Sequence, residues 1–233
     1  MTDHFKNIYT HEANHYKRMV SREDMHGNLF SALLEIADPS NKSVIEFGAG
    51  TGRLTRLLSV MVNQIIACDI APAMLHEAQK SLALTGMTNW HLSQSDNRAM
   101  PFAANSADVV IQGWSFAHTR AWSPDNWQTE IAKMIAEMKR LLKPGGTMIL
   151  LETMGTGNKQ PEAPMPELAE LYAWWEVEYN LDYRWIRTDY QFESVEEADE
   201  LTRFFFGDDL ADSIVASGKT ILPECTGIWW KTV

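Results

Sequence analysis

Short apolar runs alternate with helical patterns five times between residues 42 and 152, and that alternation leaves few folds open. The runs "KSVIEF" (42–47), "QIIACDI" (64–70), "NWHLSQS" (89–95), "ADVVIQGW" (107–114) and "GTMILLE" (146–152) are bounded by turn formers and mostly rich in β-branched residues. Each has the pattern of a strand buried on both faces. Helical spacing covers 52–61, then 72–84 with Pro72 in the first turn, and 125–142, where Ile131, Met134, Ile135, Met138 and Leu142 share a face. Such an order predicts an α/β, doubly wound, mostly parallel sheet with right-handed crossovers and helices on both faces. In that architecture ligands bind at the carboxyl ends of the strands. Beyond 154 the rhythm breaks into a Pro-rich stretch (161–166), an aromatic helical pattern, a strand "RWIRTDYQF" and a final strand "GIWWKTV".

With 233 residues, 45% of them apolar, the chain is long enough for one globular domain, or a domain plus a subdomain, with a full core. No apolar run approaches the roughly 20 residues of a membrane span, and "MTDHFKNIYTHEANHYKR" lacks the apolar segment of a signal peptide. A soluble, cytoplasmic protein with no membrane partner is expected. The net charge of −11 disfavours nucleic acid as a partner, because that binding rests on Lys and Arg neutralising phosphates. Most of the excess lies beyond Gly155, where 16 of the 31 acidic but only 6 of the 20 basic residues are found, the pattern of a solvated acidic face. Cys68 and Cys225 sit in apolar strand patterns without a CxxC or nearby His, as buried thiols rather than a disulfide or metal site.

The stretch "VIEFGAGTGRLT" (44–55) places Gly48, Gly50 and Gly52 between the first strand and the first helix of this alternation. Bare backbone there admits a nucleotide-like ligand close to a helix N-terminus. The dinucleotide fingerprint wants a sixth-position glycine where this chain has Arg53, and the Gly-Lys-Ser/Thr of a phosphate loop is missing. Glu46 instead precedes the loop, suited to a cationic ligand rather than a pyrophosphate. Asp69, 17 residues beyond Gly52, ends the second strand as a bidentate acceptor for adjacent sugar hydroxyls. It is equally placed to cap the helix that starts near Pro72.

Four separated stretches together resemble the class I S-adenosylmethionine-dependent methyltransferases, in the small-molecule branch that includes the ubiquinone and menaquinone biosynthesis enzymes. They are "VIEFGAGTGRLT", "ACDIAPAML", "SDNRAMPFAANSADVVIQGW" and "LLKPGGTMIL", covering roughly residues 40–152. The resemblance implies a Rossmann-like seven-stranded sheet with an antiparallel last strand. It also implies S-adenosylmethionine as cofactor, S-adenosylhomocysteine as product and a small-molecule acceptor. Over the cofactor it places Glu46, Gly48, Ala49, Gly50 and Gly52 near the methionine moiety, Asp69 on the ribose, and Asp96 and Asn97 near the adenine. Ile70 and Met100 are placed either on the adenine faces or in the core, Met74 and Gln112 complete the site, and Tyr16 contributes a ring from helices that either close over it or simply pack on the sheet. By the same resemblance, 1–233 forms one domain: N-terminal covering helices (1–40), a cofactor core (41–154), a substrate-lid insertion and strand (155–193), then helices and a final strand (194–233).

The fourth-strand stretch "QGWSFAH" lacks the Asn/Asp-Pro-Pro-aromatic signature of enzymes that methylate nucleic-acid bases, and no carboxylate set for a divalent metal is recognisable. Metal-free, in-line transfer to a small acceptor is expected. His118, His26 and Arg187 are the candidate catalytic side chains, the histidines as bases, although a surface or core role is the more common one for such a histidine. "PELAELYAWWEVEYNLDYRW" holds Tyr172, Trp174, Trp175, Tyr179, Tyr183 and Trp185. It is either a helix packed on the sheet or, with Trp114, Phe116, Arg187 and Tyr190, the wall of an apolar acceptor pocket. Two other functions remain open at this point: a noncatalytic cofactor-binding module of the same fold, and a nicotinamide-dependent oxidoreductase.

Overall fold

The computed structural model describes residues 2–233. Three helices, α1 (Thr2–His11), α2 (Ala13–Val20) and α3 (Asn28–Ala37), precede the alternation β1 (Ser43–Phe47), α4 (Arg53–Ser59), β2 (Gln64–Asp69), α5 (Pro72–Ala83), β3 (Trp90–Gln94) and β4 (Ala107–Gly113). Then follow α6 (Ala117–Trp122), α7 (Trp127–Leu141), β5 (Leu142–Thr156), α8 (Pro166–Tyr179), β6 (Asp182–Arg187), β7 (Tyr190–Gln191), α9 (Val195–Phe206), α10 (Asp208–Ser217), β8 (Ile221–Leu222) and β9 (Glu224–Thr232). Seven strands form one sheet in the order β3-β2-β1-β4-β5-β9-β6. Strands β1 to β5 pair in parallel, and the last strand, β9, runs antiparallel between β5 and β6.

The continuous apolar runs behave as a two-sided burial requires. On one face Ile45, Phe47, Val110, Met148 and Leu150 pack with Ile131, Ile135 and Met138 of α7 and Leu171 and Trp175 of α8. On the other, Val44, Ile65, Val109, Ile111, Ile149 and Leu151 meet Leu29 and Leu33 of α3 and Leu54 and Leu58 of α4. Neighbouring residues of one strand therefore enter opposite cores, which period-2 geometry dictates. Both cysteines are free and buried.

Two expected elements differ and one is new. The fifth strand begins at Leu142 rather than 146, because the "KPGG" stretch stays in the ladder as an irregularity with Gly145 at φ +80°. "RWIRTDYQF" is not one strand: β6 stops at Arg187, and β7 pairs with β8 in a separate two-stranded sheet. The break is held by polar groups, with Asp189 accepting the Glu224 N–H (2.9 Å) and the Thr188 hydroxyl on that of Thr226 (2.7 Å). The helix α6, between the fourth strand and α7, has no counterpart in the apolar periodicity.

Helix α3 starts without a capping side chain at the position before it. Asp24, in the preceding turn at φ +63°, instead accepts the N–H groups of Asn28 (2.9 Å) and Leu29 (3.0 Å). That turn carries Glu23 and His26, and it leaves α1 and α2 packed against α5, over the carboxyl ends of the strands.

Candidate active site

A cavity of about 370 Å³ opens at the carboxyl ends of β1, β2 and β4, with α1, α2 and α6 along its sides. The glycine loop shapes its floor. Gly50 sits at φ +55°, and a Cβ there would meet only Tyr16, at 3.8 Å, so the missing side chain leaves open space. Gly48, at φ +63°, is bare for a different reason: a Cβ would collide with Ser115 at 2.4 Å.

Asp69 joins this loop to the second strand. Its Oδ2 accepts the Gly50 N–H (2.8 Å) and its Oδ1 the Ala71 N–H (2.8 Å). Asp69 does not cap the helix expected near Pro72, since Ala71 holds the N-cap position of α5 and no side chain bonds its first turn; the carboxylate instead braces the glycine loop and the turn before α5, and lines the cavity with a spare lone pair on each oxygen. Burial raises its pKa, opposed by those backbone bonds.

Of the sequence-predicted residues, Tyr16, Gly48, Gly50, Asp69, Ile70, Met74, Asp96 and Asn97 all line this cavity. Ile70 is 61% exposed, a large apolar side chain offered to the opening. Asp96 also clasps Arg98, which reaches on to Glu130, and those bonds hold the Asp96 carboxyl below its ordinary range. Glu46, Ala49, Gly52, Gln112 and Met100 lie outside the cavity lining and are buried or nearly so. Glu46 is 2% exposed and accepts the Thr55 hydroxyl at 2.6 Å; burial pushes its carboxyl up to about 8. Gln112 accepts the N–H (3.1 Å) and hydroxyl (2.9 Å) of Ser115 and so pins the β4–α6 turn. Gly52 lets α4 approach Ala78 of α5, where a Cβ would come within 3.2 Å.

His118 is in the wall, its Nε2 2.7 Å from the Tyr9 hydroxyl. Burial lowers the imidazole to about 4, so it is neutral at pH 7, while burial above all keeps the Tyr9 phenol protonated. Trp122 stacks on His118 at 5.1 Å, and Tyr9 meets Tyr16 edge to face at 5.5 Å. With Trp114 these rings give one side of the cavity an aromatic lining.

The other two catalytic candidates stand elsewhere. His26 is exposed in the α2–α3 turn, and Arg187 is bound by Asp189 through two hydrogen bonds of 2.9 and 2.7 Å; neither belongs to the cavity wall. The acceptor-wall reading of α8 is corrected as well. Trp174 packs edge to face on Trp127 (5.2 Å) and Tyr179 (5.1 Å), Trp175 is fully buried, and Tyr172 donates to the Thr153 carbonyl. Phe116 is buried against Phe47, and Tyr190 is buried with its hydroxyl on Glu23. These rings close a core face of the sheet, as amphipathic packing requires, and only Trp114 of the proposed wall reaches the cavity.

Sequence reasoning missed Tyr9, Trp122 and Glu152. Glu152, 2% exposed under the β4–α6 turn, accepts the Ala117 N–H at 3.1 Å, and burial lifts its carboxyl up to about 8. The available signal was an acidic residue at the end of an otherwise apolar strand, the same pattern as Glu46. Among the described residues no three His, Cys, Asp or Glu side chains group as metal ligands, and no helix is long and apolar enough to cross a membrane.

The family model described as "Methyltransferase domain" matches residues 44–146, the segment from β1 into β5 that builds the cavity floor. The ubiquinone/menaquinone biosynthesis C-methyltransferase UbiE of Legionella pneumophila (strain Corby) is 33% identical over 115 residues, 48% of this chain and 42% of that protein. UbiE of Ectopseudomonas mendocina is 29% identical over 147 residues, 61% of this chain and 51% of that protein. The chain thus spans about half the length of these relatives. Among solved structures, YcgJ of Bacillus subtilis has a TM-score of 0.59 at 18% identity, covering 89% of this chain and 98% of that one. A SAM-dependent methyltransferase of Aquifex aeolicus has a TM-score of 0.57 at 18% identity, covering 90% and 95%. Both share the sheet architecture described above.

Proposed function

We propose, from the premise that residues 44–146 are a class I methyltransferase domain, that the chain moves the methyl group of S-adenosylmethionine to a small-molecule acceptor without a metal, in the cytoplasm. One observation carries the reading: Asp69 bonds across to Gly50, so the sugar-hydroxyl acceptor and the bare loop face one cavity. The residues fit the cofactor, because the Gly50 Cβ position is open and the Asp69 carboxylate keeps unused lone pairs beside it.

Bound there, S-adenosylmethionine supplies a methyl group already activated on a sulfonium sulfur. Asp69 would hold the ribose hydroxyls, and Ile70, Met74, Asp96 and Asn97, which line the same cavity, would hold the adenine. The protein's remaining task is to orient the acceptor and exclude water, which is how positioning lowers the barrier of an in-line displacement. Helices α1 and α2 bring Tyr9 and Tyr16 over the opening. The Tyr9–His118 pair is placed to hold the acceptor's nucleophilic atom. An imidazole depressed to about 4 is a weak base, suited to taking a proton only after the acceptor carries the methyl group and has become acidic.

The test has two parts. Calorimetry should show S-adenosylhomocysteine binding at one site. Incubation with methyl-labelled S-adenosylmethionine and a metabolite extract should transfer label to a small molecule, unaffected by chelator. Binding without any transfer would leave a noncatalytic module; transfer abolished by chelator would refute the metal-free mechanism.

A further inference from the structure

The glycine loop ends on a residue that the proposed chemistry leaves unused. Arg53 stands where a dinucleotide fingerprint would carry its last glycine, and it opens α4 with its side chain only 15% exposed. Through Nη1 it donates to Glu23 of the α2–α3 turn, whose side chain is 4% exposed and whose same oxygen accepts the Tyr190 hydroxyl at 3.0 Å. The guanidinium lies 4.3 Å from the centre of the Trp114 ring, within reach of a cation–π contact. Trp114 lines the cavity, whereas Arg53 and Glu23 do not.

The Trp114 backbone is fixed independently of that contact. Its φ is +52°, a conformation that a bulky side chain rarely adopts and that persists only where the surroundings over-determine it. Here its N–H bonds the Leu151 carbonyl at 2.8 Å, and the next residue, Ser115, donates its N–H and hydroxyl to Gln112. Those bonds fix where the side chain starts but not the plane of the ring, because χ2 of an aromatic residue is a soft torsion. The stacked guanidinium, planar and itself clamped by Glu23, supplies the missing restraint. We infer that Arg53 is a positioning residue: it holds the Trp114 indole as the flat wall against which the acceptor lies, without touching acceptor or cofactor itself. The inference rests on the methyltransferase reading for calling the ligand an acceptor.

The ring itself gives the first readout. Its near-ultraviolet circular dichroism, taken as parent minus Trp114→Ala, should fall by about half or more in the Arg53→Met background, because an indole free to turn about χ2 loses its ordered signal. An unchanged Trp114 signal overturns the inference. The second readout is kinetic, with methyl-labelled S-adenosylmethionine and a dilution series of the metabolite extract as the source of acceptor. Arg53→Met should raise the apparent KM for the extract by about tenfold while S-adenosylhomocysteine affinity stays within about twofold. Trp114→Ala should lose at least as much, and the double variant no more than Trp114→Ala alone, since Arg53 acts through that ring. Losses that add in the double variant, or a fall in cofactor affinity that parallels the rise in KM, overturn the inference, and Arg53 then serves the loop or the fold. Should Arg53→Met not fold, Arg53→Lys, which keeps the charge but not the planar face, carries both measurements with about a threefold rise in KM expected. No label transfer by the parent would instead sink the methyltransferase reading, and the dichroism still tests the clamp on the ring.

Discussion

Replacing Asp69 with alanine removes an acceptor that serves protein and ligand together. In the free protein it deletes the 2.8 Å bonds from the Gly50 and Ala71 N–H groups. Charge-assisted bonds of this kind contribute about 1.5–3 kcal/mol each, but both donors are half-buried at the rim, where water replaces much of the loss. A net destabilisation of about 1–2 kcal/mol follows, a fall of roughly 2–8 °C in melting temperature for a chain of this size. In the complex, two ribose hydroxyls also lose a charged acceptor, and the loop that faces them is no longer braced. After water compensation the loss is about 2–4 kcal/mol, or roughly 30- to 1,000-fold in affinity. Asp69→Asn should fall between parent and alanine in size but not reach parent affinity, because its amide turns an –NH₂ towards one of the two backbone donors. Calorimetric titration of S-adenosylhomocysteine, paired with thermal melts of the free proteins, measures both quantities. If Asp69→Ala binds within about threefold of the parent, Asp69 does not hold the ribose. If its melting temperature is also unchanged, the loop does not depend on it either.

Gly48→Ala should destabilise the protein markedly, since its Cβ would lie 2.4 Å from that of Ser115 at a positive φ, whereas Gly50→Ala should cost about 1 kcal/mol yet abolish ligand binding; denaturant melts and calorimetry separate the two. Tyr9→Phe and His118→Ala should lower turnover on the labelled acceptor by about tenfold or more while S-adenosylhomocysteine affinity changes little, and a parallel loss of both would make the pair structural. Trp175→Ala should destabilise by about 3–5 kcal/mol, with no change in cofactor affinity in the fraction that folds, because the ring is fully buried in the core. These buried groups should pull stability in opposite directions as pH changes. The Glu46, Glu152 and Glu224 carboxyls, raised from 4.5 to about 8, contribute stability that is complete below 4.5 and lost as pH rises through 8. His118, lowered from 6.5 to about 4, contributes stability that is complete above 6.5 and lost as pH falls through 4. Melts across pH check this, and Glu152→Gln should flatten the alkaline limb; an unchanged limb would show that Glu152 is not buried as a neutral acid.

The strand runs and the glycine loop were legible in the chain because their information is local. Period and β-branching mark a strand buried on both faces, and Gly48-x-Gly50-x-Gly52 marks a turn that a side chain would obstruct. Asp69 belongs to the same class, since a carboxylate one strand beyond such a loop can only end at the same sheet edge. The rest of the site was settled by distance in three dimensions. Tyr9 and His118 are 109 positions apart, and nothing near either one announces the other. Aromatic density misled in α8 because a stripe that closes a core and one that lines a pocket have the same composition and period; only the sheet face on which the helix lands separates them, and Trp175 landed inside. Arg187 read as an available cation until the strand break at Thr188 turned the chain and brought Asp189 onto it. Glu23, Arg53 and Trp114 come from the α2–α3 turn, the start of α4 and the turn after β4, and only the folded chain makes them neighbours. Side-chain chemistry was written in the sequence throughout, but which groups share a low-dielectric space, and which are left without partners, is a property of packing alone.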